Sequence, residues 1–380
     1  MNESTKKEDQ LRVGLVTSEW EPYLEGGLGI HVRELTAAMG RRIHLDVILP
    51  RASGYHCRPN VNLHPIDMSV VYGHVQSWVD FGHAAAKYVS EVGLDVDILH
   101  AHDWSAAPAG AFLKESLHRP LVFTDHLPQG VGPRRPLEDQ GLLAADAVIV
   151  PSQATAAEIA ARKLVLKRLE VVPNGVDPDV YRPALDWPAD DGYALFVGRL
   201  VVQKGVDCLL KAFAAVIGRL PSARLVLVGD GDLELYLKRV ARYLGVAHRV
   251  EFRGWQTGAD LVAMYQHAAV VVVPSFYEPF GIVALEAMAC ARPIIASRVG
   301  GLAEIVNDGE QGYLVPLGDH LRLASRLVKL LTDPVQRQSM GLAARAQVGS
   351  FTWAAVADQT LALYRSVIEC HNSTSIERSQ

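Results

Sequence analysis

Along the chain, short runs of apolar and β-branched residues alternate with stretches whose apolar positions recur every three to four residues. That alternation predicts parallel α/β architecture, in which each strand is followed by a helix that carries the chain back to the start of the next strand. The runs VGLVTS (13–18), LDVILP (45–50), DILHAH (97–102), LVFTDH (121–126), AVIVPS (147–152) and LEVVPNG (169–175) predict strands that end in loops. Helical patterns lie between them, as at 29–40 and 104–117. A second series runs through YALFVGRL (193–200), RLVLVGDGD (224–232), VEFRGW (250–255), AVVVVPS (269–275), PIIAS (293–297) and GYLVP (312–316). Between the series, NGVDPDVYRPALDWPADD (174–191) is rich in Pro and Asp and lacks periodicity, which predicts a linker. The fold class is therefore α/β, with two doubly wound Rossmann-like domains in tandem, 1–178 and 179–351. The carboxyl ends of their strands are expected to face a shared cleft. A last helix is expected over TWAAVADQTLALYRSVI (352–368), and the final CHNSTSIERSQ is expected to fray.

Composition narrows the class. The 380 residues suffice for two domains of ordinary size, and 49% hydrophobic with 21% charged is a globular balance. A formal charge of −5 offers no basic footprint, so no nucleic-acid partner is expected. No run of about 18 apolar residues suggests a transmembrane segment, and MNESTKKEDQLRVGLV does not read as a secretion signal. Cys57, Cys208, Cys290 and Cys370 lie far apart without metal-like spacing, as suits a reduced compartment. The expectation is a cytoplasmic protein; its oligomeric state is left open.

The candidate chemistry centres on FYEPFGIVALEAMA (276–289), which places Glu286 among Ile282, Val283, Ala284, Leu285, Ala287, Met288 and Ala289. A carboxylate in such a run needs a partner, because burying an unpaired charge costs several kcal/mol or more. Pro274, Pro279 and Gly281 break the chain after the strand, and a helix resuming near Gly281 would present the N–H groups of Gly281, Ile282 and Val283 to a phosphate or sugar hydroxyl. One turn further in, Glu286 could accept hydrogen bonds from a vicinal diol such as that of ribose. Glu278, held extended by Pro279, would stand at the mouth of the loop, beside a transferred group. The bland alternative is two surface glutamates near a helix start. Arg199 and Lys204 follow the first strand of the second series, and a fork-shaped guanidinium with a compact ammonium suits a pyrophosphate. Gly26, Gly27 and Gly29 form a loop whose backbone could approach a bound group closely, although GGLG is not the dinucleotide fingerprint.

His102 ends a strand, with Asp103 beside it as a candidate hydrogen-bond partner that would orient the ring. His100 and His102 stand two residues apart, but two ligands without a third nearby make a poor metal site, and no metal is expected. His126 ends the next strand and is read as facing the acceptor; His31 is equally well read as packing. Three Asp-x-Asp strings, at Asp95/Asp97, Asp177/Asp179 and Asp230/Asp232, have simpler readings as turn or strand-end acids.

EPFGIVALE (278–286) resembles the paired-glutamate motif of the retaining glycosyltransferases of family 4, the glycogen-synthase-like superfamily with the GT-B fold. EGGLGIHV (25–32), ILHAHDW (98–104), ADAVIVPS (145–152), VVPNGVD (171–177), VGRLVVQKG (197–205), VGDGDLE (228–234) and VGGLAEIV (299–306) are similar to its other segments, in its order, over nearly the whole chain. The resemblance implies a C-terminal helix (352–380) that crosses back to the first domain. It implies a nucleotide-sugar donor (UDP-, ADP- or GDP-linked) as substrate, a hydroxyl acceptor, no cofactor and no metal. It gives the diphosphate to Arg199 and Lys204, the donor to Gly26, Gly27, Gly29, Phe280, Gly281, Ile282, Val283 and Glu286, and catalysis to Glu278, Arg199, Lys204 and His102, which touches the donor sugar. Asp103 and His126 fall to the acceptor side. Members of the family are thought to work by front-face attack, which fits the lack of a dedicated nucleophile.

Leu24 stands where glycogen synthases carry a lysine, which argues against ADP-glucose-dependent glycogen synthesis, and LPQGVGPRRPLEDQGLLAA (127–145) is compressed. The expected activity is retaining transfer of a hexosyl group to a small acceptor. An α-glucan synthase is the alternative, favoured by HAHDW. A non-catalytic sugar-nucleotide sensor, an epimerase and a phosphorylase are the rivals from other classes.

Overall fold

The structure, a computed structural model, describes residues 10–24, 26–68, 74–184 and 192–377. Glu25 of the glycine loop and 185–191 of the expected linker lie outside the described residues. The chain forms two compact units, the first made of Met1–Pro173 with Trp353–Gln380, the second of Asn174–Thr352.

The first unit opens with β1 (Leu11–Val16), α1 (Gly27–Met39), β2 (Ile43–Pro50), β3 (Val61–Ile66) and α2 (Val75–Val92). It continues through β4 (Ile98–His102), α3 (Asp103–Leu117), β5 (Leu121–Thr124), α4 (Arg135–Ala144), β6 (Ala147–Val150), α5 (Gln153–Ala161) and β7 (Leu169–Val171). The strands form one parallel sheet in the order β3-β2-β1-β4-β5-β6-β7. Their apolar runs are continuous because both faces are covered. Val13, Leu15, Val47 and Ile98 pack on one side, while Val16, Ile48, Leu99 and Ala101 pack on the other.

The second unit comprises β8 (Tyr193–Val197), α6 (Val206–Ile217), β9 (Leu225–Val228), α7 (Glu234–Tyr243), β10 (Val250–Phe252), α8 (Gly258–His267) and β11 (Ala268–Val273). It closes with α9 (Ile282–Ala289), β12 (Ile294–Ser297), α10 (Leu302–Ile305), β13 (Gly312–Val315), α11 (His320–Thr332) and α12 (Pro334–Gln347). Its six parallel strands run in the order β10-β9-β8-β11-β12-β13. Asp319 and Asp333 start α11 and α12 by accepting the backbone N–H of Arg322 and Gln336, both at 2.9 Å.

The last helix, α13 (Trp353–Glu377), belongs to the first unit. It lays Trp353, Val356, Leu361, Tyr364 and Val367 on the face that holds Val13 and Ile98. Burying each large apolar side chain of this kind contributes about 1.5–3 kcal/mol.

Three features depart from the sequence reading. β3, VNLHPI, was not among the expected strands. It forms the sheet's edge, where Pro65 is tolerated and the pattern is only half buried. α1 begins at Gly27 rather than residue 29. The tail does not fray from Cys370: α13 runs on to Glu377, since HNSTSIE holds neither Pro nor Gly and the Ser373 hydroxyl donates back to the Glu369 carbonyl at 2.9 Å.

Each sheet reverses direction of growth once, between β1 and β4 and between β8 and β11. Loops after the strands at such switch points are where open α/β sheets bind ligands. The segments that hold Gly26, Asp103, Lys204 and Glu278 follow β1, β4, β8 and β11, and the loop that holds Gly300 follows β12.

Candidate active site

In the second unit, three motif loops lock against one another. Lys204 sits in a single 3-10 turn (Val202–Lys204) before α6. Gly205 follows at φ 65°, and a Cβ there would stand 2.2 Å from the Pro274 carbonyl oxygen, so only glycine lets this turn lie against the loop after β11. The Phe276 N–H donates to the Gln203 carbonyl at 2.8 Å, and Gln203 Nε2 donates to the Tyr277 carbonyl at 3.1 Å. On the other side the Gly301 N–H donates to the Glu278 carbonyl at 3.1 Å. A Cβ on Gly300 would meet that same oxygen at 2.0 Å. VGRLVVQKG, EPFG and VGGLAEIV are thus one mechanical layer.

Within the layer the two glutamates have different partners. Glu278 is 9% exposed; its Oε2 accepts from Lys204 Nζ at 2.6 Å and from Ser275 Oγ at 2.9 Å. Glu286 is 4% exposed, and its Oε2 accepts the hydroxyl of the fully buried Tyr265, from α8, at 2.6 Å. This answers how a carboxylate survives among apolar neighbours. A carboxylate has about four acceptor sites, so Tyr265 fixes its orientation without exhausting it. Burial and the adjacent Glu286 charge push the Tyr265 phenol well above its ordinary range, which keeps it the donor.

α9 starts at Ile282 with Gly281 at its cap, and no side chain caps it. Arg199 is exposed and its guanidinium holds no partner among the described residues. The Phe280 side chain packs in the core edge-on to Phe351, with ring centroids 6.3 Å apart, so it meets a ligand only through its backbone.

In the first unit, histidines gather behind buried acids. His100 is wholly enclosed: Nδ1 lies 2.6 Å from the Tyr364 hydroxyl and Nε2 lies 2.6 Å from the Thr124 hydroxyl. Burial pulls its pKa down to about 3. His102 Nδ1 lies 3.1 Å from His126 Nε2, and burial holds both rings well below the usual range, hence neutral. The expectation that Asp103 orients His102 needs correction. Asp103 adopts φ 63°, which turns its carboxylate to the His126 backbone N–H at 2.7 Å, and the His102 ring pairs with His126 instead.

Burial raises Asp103 to about 7. Asp125, fully enclosed beside Glu138 and Asp103, is pushed well above the carboxylate range by burial first and those charges second. Glu138 accepts the Gln129 N–H at 2.7 Å and pairs with Arg162, which leaves Asp125 the protonated member.

In the glycine loop expected to approach a bound group, the Gly29 N–H donates to Glu19 Oε2 at 3.0 Å, a residue outside the expected set. Asp97 Oδ2 accepts the Arg12 N–H at 2.7 Å and Asp177 Oδ1 caps its own turn at the Asp179 N–H, 2.9 Å away, while Asp230 and Asp232 are exposed. In the pair His100/His102, His100 spends both ring nitrogens on hydroxyls. The set of residues suited to a metal, among those described, is His31, His102 and His126.

Residues 177–347 match the family "Glycosyl transferases group 1" and residues 25–180 match "Glycosyltransferase Family 4". The chain is a family 4 glycosyltransferase. An uncharacterized glycosyltransferase of Methanocaldococcus jannaschii is 31% identical, covering 94% of this chain and 99% of its own length. The D-inositol 3-phosphate glycosyltransferase of Mycobacterium tuberculosis is 31% identical over 96% of this chain and 85% of its own. Among solved structures, sucrose-phosphate synthase from Thermosynechococcus elongatus superposes with a TM-score of 0.83 at 27% identity, over 95% of this chain and all (100%) of that one. The enzyme therefore has the two-domain α/β fold of the GT-B class. Among the described residues, no helix is long and apolar enough to cross a membrane.

Proposed function

We propose that this glycosyltransferase moves a hexosyl group from a nucleoside diphosphate sugar to a hydroxyl of a small acceptor, with retention at the anomeric carbon and without a metal. The observation that carries the reading is the Lys204–Glu278 pair, held beside the uncapped N-terminus of α9 in one locked loop layer. Arg199, Lys204 and the α9 N–H groups supply positive potential for a departing diphosphate, the task a metal performs elsewhere. Glu278, oriented by Ser275 and Lys204, faces the positive charge that develops as the anomeric C–O bond breaks. Glu286, oriented by Tyr265, accepts from the ribose hydroxyls. In unit 1, His102 hydrogen-bonds the transferred sugar. The acceptor hydroxyl attacks on the face the diphosphate leaves, and its proton passes to a diphosphate oxygen.

A small acceptor is supported by the compressed segment 127–145 and by a relative whose name specifies D-inositol 3-phosphate. The alternative, α-glucan synthesis, rests on HAHDW (100–104) alone.

The test is a thermal-shift screen with UDP, ADP, GDP and their glucose conjugates, followed by proton NMR of the product's anomeric coupling. A ligand at about 100 times its Kd adds about 2.7 kcal/mol, so one nucleotide series should raise Tm clearly. A silent screen, or an inverted product, would sink the reading.

A further inference from the structure

Three imidazoles from three separate elements meet in the first unit: His31 from α1, His102 at the end of β4, and His126 in the loop after β5. Each offers a ring nitrogen such that the three nitrogens lie within 4.8 Å of one another. The His31 and His126 rings meet edge to face with centroids 4.3 Å apart, and the His102 and His126 rings stack at 10° with centroids 5.4 Å apart. We infer that His31, His102 and His126 form a binding site for one divalent transition-metal cation of the Zn²⁺ class, and that its occupancy blocks sugar transfer.

The donor set selects the ion. Three imidazole nitrogens with a fourth position left for water is a well-known arrangement for zinc, whereas Mg²⁺ and Ca²⁺ want oxygen ligands, and the set contains none. Two nitrogens on one tetrahedral ion with bonds near 2.0–2.1 Å stand about 3.3 Å apart. His102 Nδ1 and His126 Nε2 already stand at 3.1 Å, so that pair fits with little movement.

The surroundings hold the rings for this use. Asp103 grips the His126 backbone N–H at 2.7 Å, and Trp353 stands edge-on to His31 with centroids 5.5 Å apart. With Nδ1 on the ion, the His102 proton stays on Nε2, which is enclosed with no hydrogen-bond partner among the described residues. His126 is partly exposed, which gives an ion a way in.

The blocking half of the inference rests on the proposed function, since an ion on His102 removes that ring from the sugar; the binding half does not. Both are tested on the full chain without a polyhistidine tag, stripped with EDTA and dialysed. Titration with Co²⁺ should yield one equivalent of tetrahedral, nitrogen-ligated ion by its visible ligand-field absorption, displaced by Zn²⁺. H31Q and H126Q should each weaken Zn²⁺ binding by at least about 100-fold, beyond the 10–100-fold typical of an outer-shell change.

No Co²⁺ spectrum in the wild type overturns the site without reliance on any variant folding. So do thiolate charge-transfer bands, which would put the ion on Cys57 or Cys370, and so does undiminished binding in both variants. Turnover of the wild type should fall in proportion to Zn²⁺ occupancy and return with EDTA. One equivalent bound with full turnover overturns the blocking and the sugar role of His102 while leaving the site in place.

Discussion

The loop layer of the second unit and the histidine layer of the first solve opposite problems at the ends of similar sheets. In the second unit, charges are present and matched: Lys204 faces Glu278, and Tyr265 steadies Glu286. In the first, charge is suppressed: burial keeps His100, His102 and His126 neutral and leaves Asp125 protonated. The contrast teaches that one layer is prepared to meet an anion, and the other to offer hydrogen bonds and lone pairs without net charge. The two should therefore respond to different perturbations.

The largest effects are expected where charge is removed from the second unit. Arg199→Ala and Lys204→Ala should each lower kcat/KM by roughly 2–4 kcal/mol, about 30- to 1,000-fold, with the fold intact by circular dichroism. Lys204→Ala should be the worse of the two, since it also leaves Glu278 facing a buried gap. Near-wild-type kcat/KM in both variants removes the diphosphate assignment.

Acid should act chiefly on the first unit. His100 has a folded pKa of about 3, below its ordinary 6.5, so the folded state binds fewer protons in that window. Its contribution is full above pH 6.5 and is lost as pH falls towards 3, about 2 kcal/mol by pH 5. Asp103 runs the other way: its pKa is raised from 3.8 to about 7, so its contribution is full below 3.8 and is lost as pH rises through 7. Urea denaturation of H100Q and D103N between pH 4.5 and 7 should therefore show opposite trends. Relative to wild type, H100Q should gain stability as pH falls and D103N as pH rises. Parallel trends would mean that these groups titrate normally.

The two glutamates should fail differently. Glu286→Ala is expected to raise the Kd of the nucleoside diphosphate by about 10-fold or more, because a ribose contact is made before and during reaction alike. Glu278→Gln should lower kcat with little change in that Kd, because its partner charge exists only in the transition state. Calorimetry and steady-state kinetics on both variants separate the cases. Tyr265→Phe, which removes only the hydroxyl steadying Glu286, should reproduce the Glu286→Ala defect in weaker form, with a several-fold rise in the same Kd and unchanged kcat. The smallest effect is expected from EDTA, which should not reduce turnover at all. Loss restored by Mg²⁺ or Mn²⁺ would bring a metal back to the diphosphate.

Much of the fold was legible because strands and their following loops are contiguous in sequence. VGRLVVQKG, EPFG and VGGLAEIV announce turns by their Gly and Pro content, and turns are local. What stayed hidden is what depends on distance along the chain. Lys204 meets Glu278 across 74 residues and Tyr265 meets Glu286 across 21, so no spacing rule links them. The histidine pair that looked testable, His100 and His102, alternates along one strand, but the cluster that forms draws on α1, β4 and the loop after β5. Glu19 was missed because an acid after a strand reads as solvated until a helix N-terminus is placed against it. β3 was missed because an edge strand is only half apolar.

One feature of the topology governs the order in which this chain can mature on the ribosome. The second unit is a single continuous segment, so it can close its core as soon as it emerges. The first unit cannot, although most of it is synthesised earlier. The face that carries Val13, Leu45 and Ile98 has only α1 to cover it, and His100 lacks its tyrosine, until α13 has been made, after the whole of the second unit. For that interval the nascent protein carries a finished half and an unfinished one, and the unfinished half is the one a chaperone would have to shield.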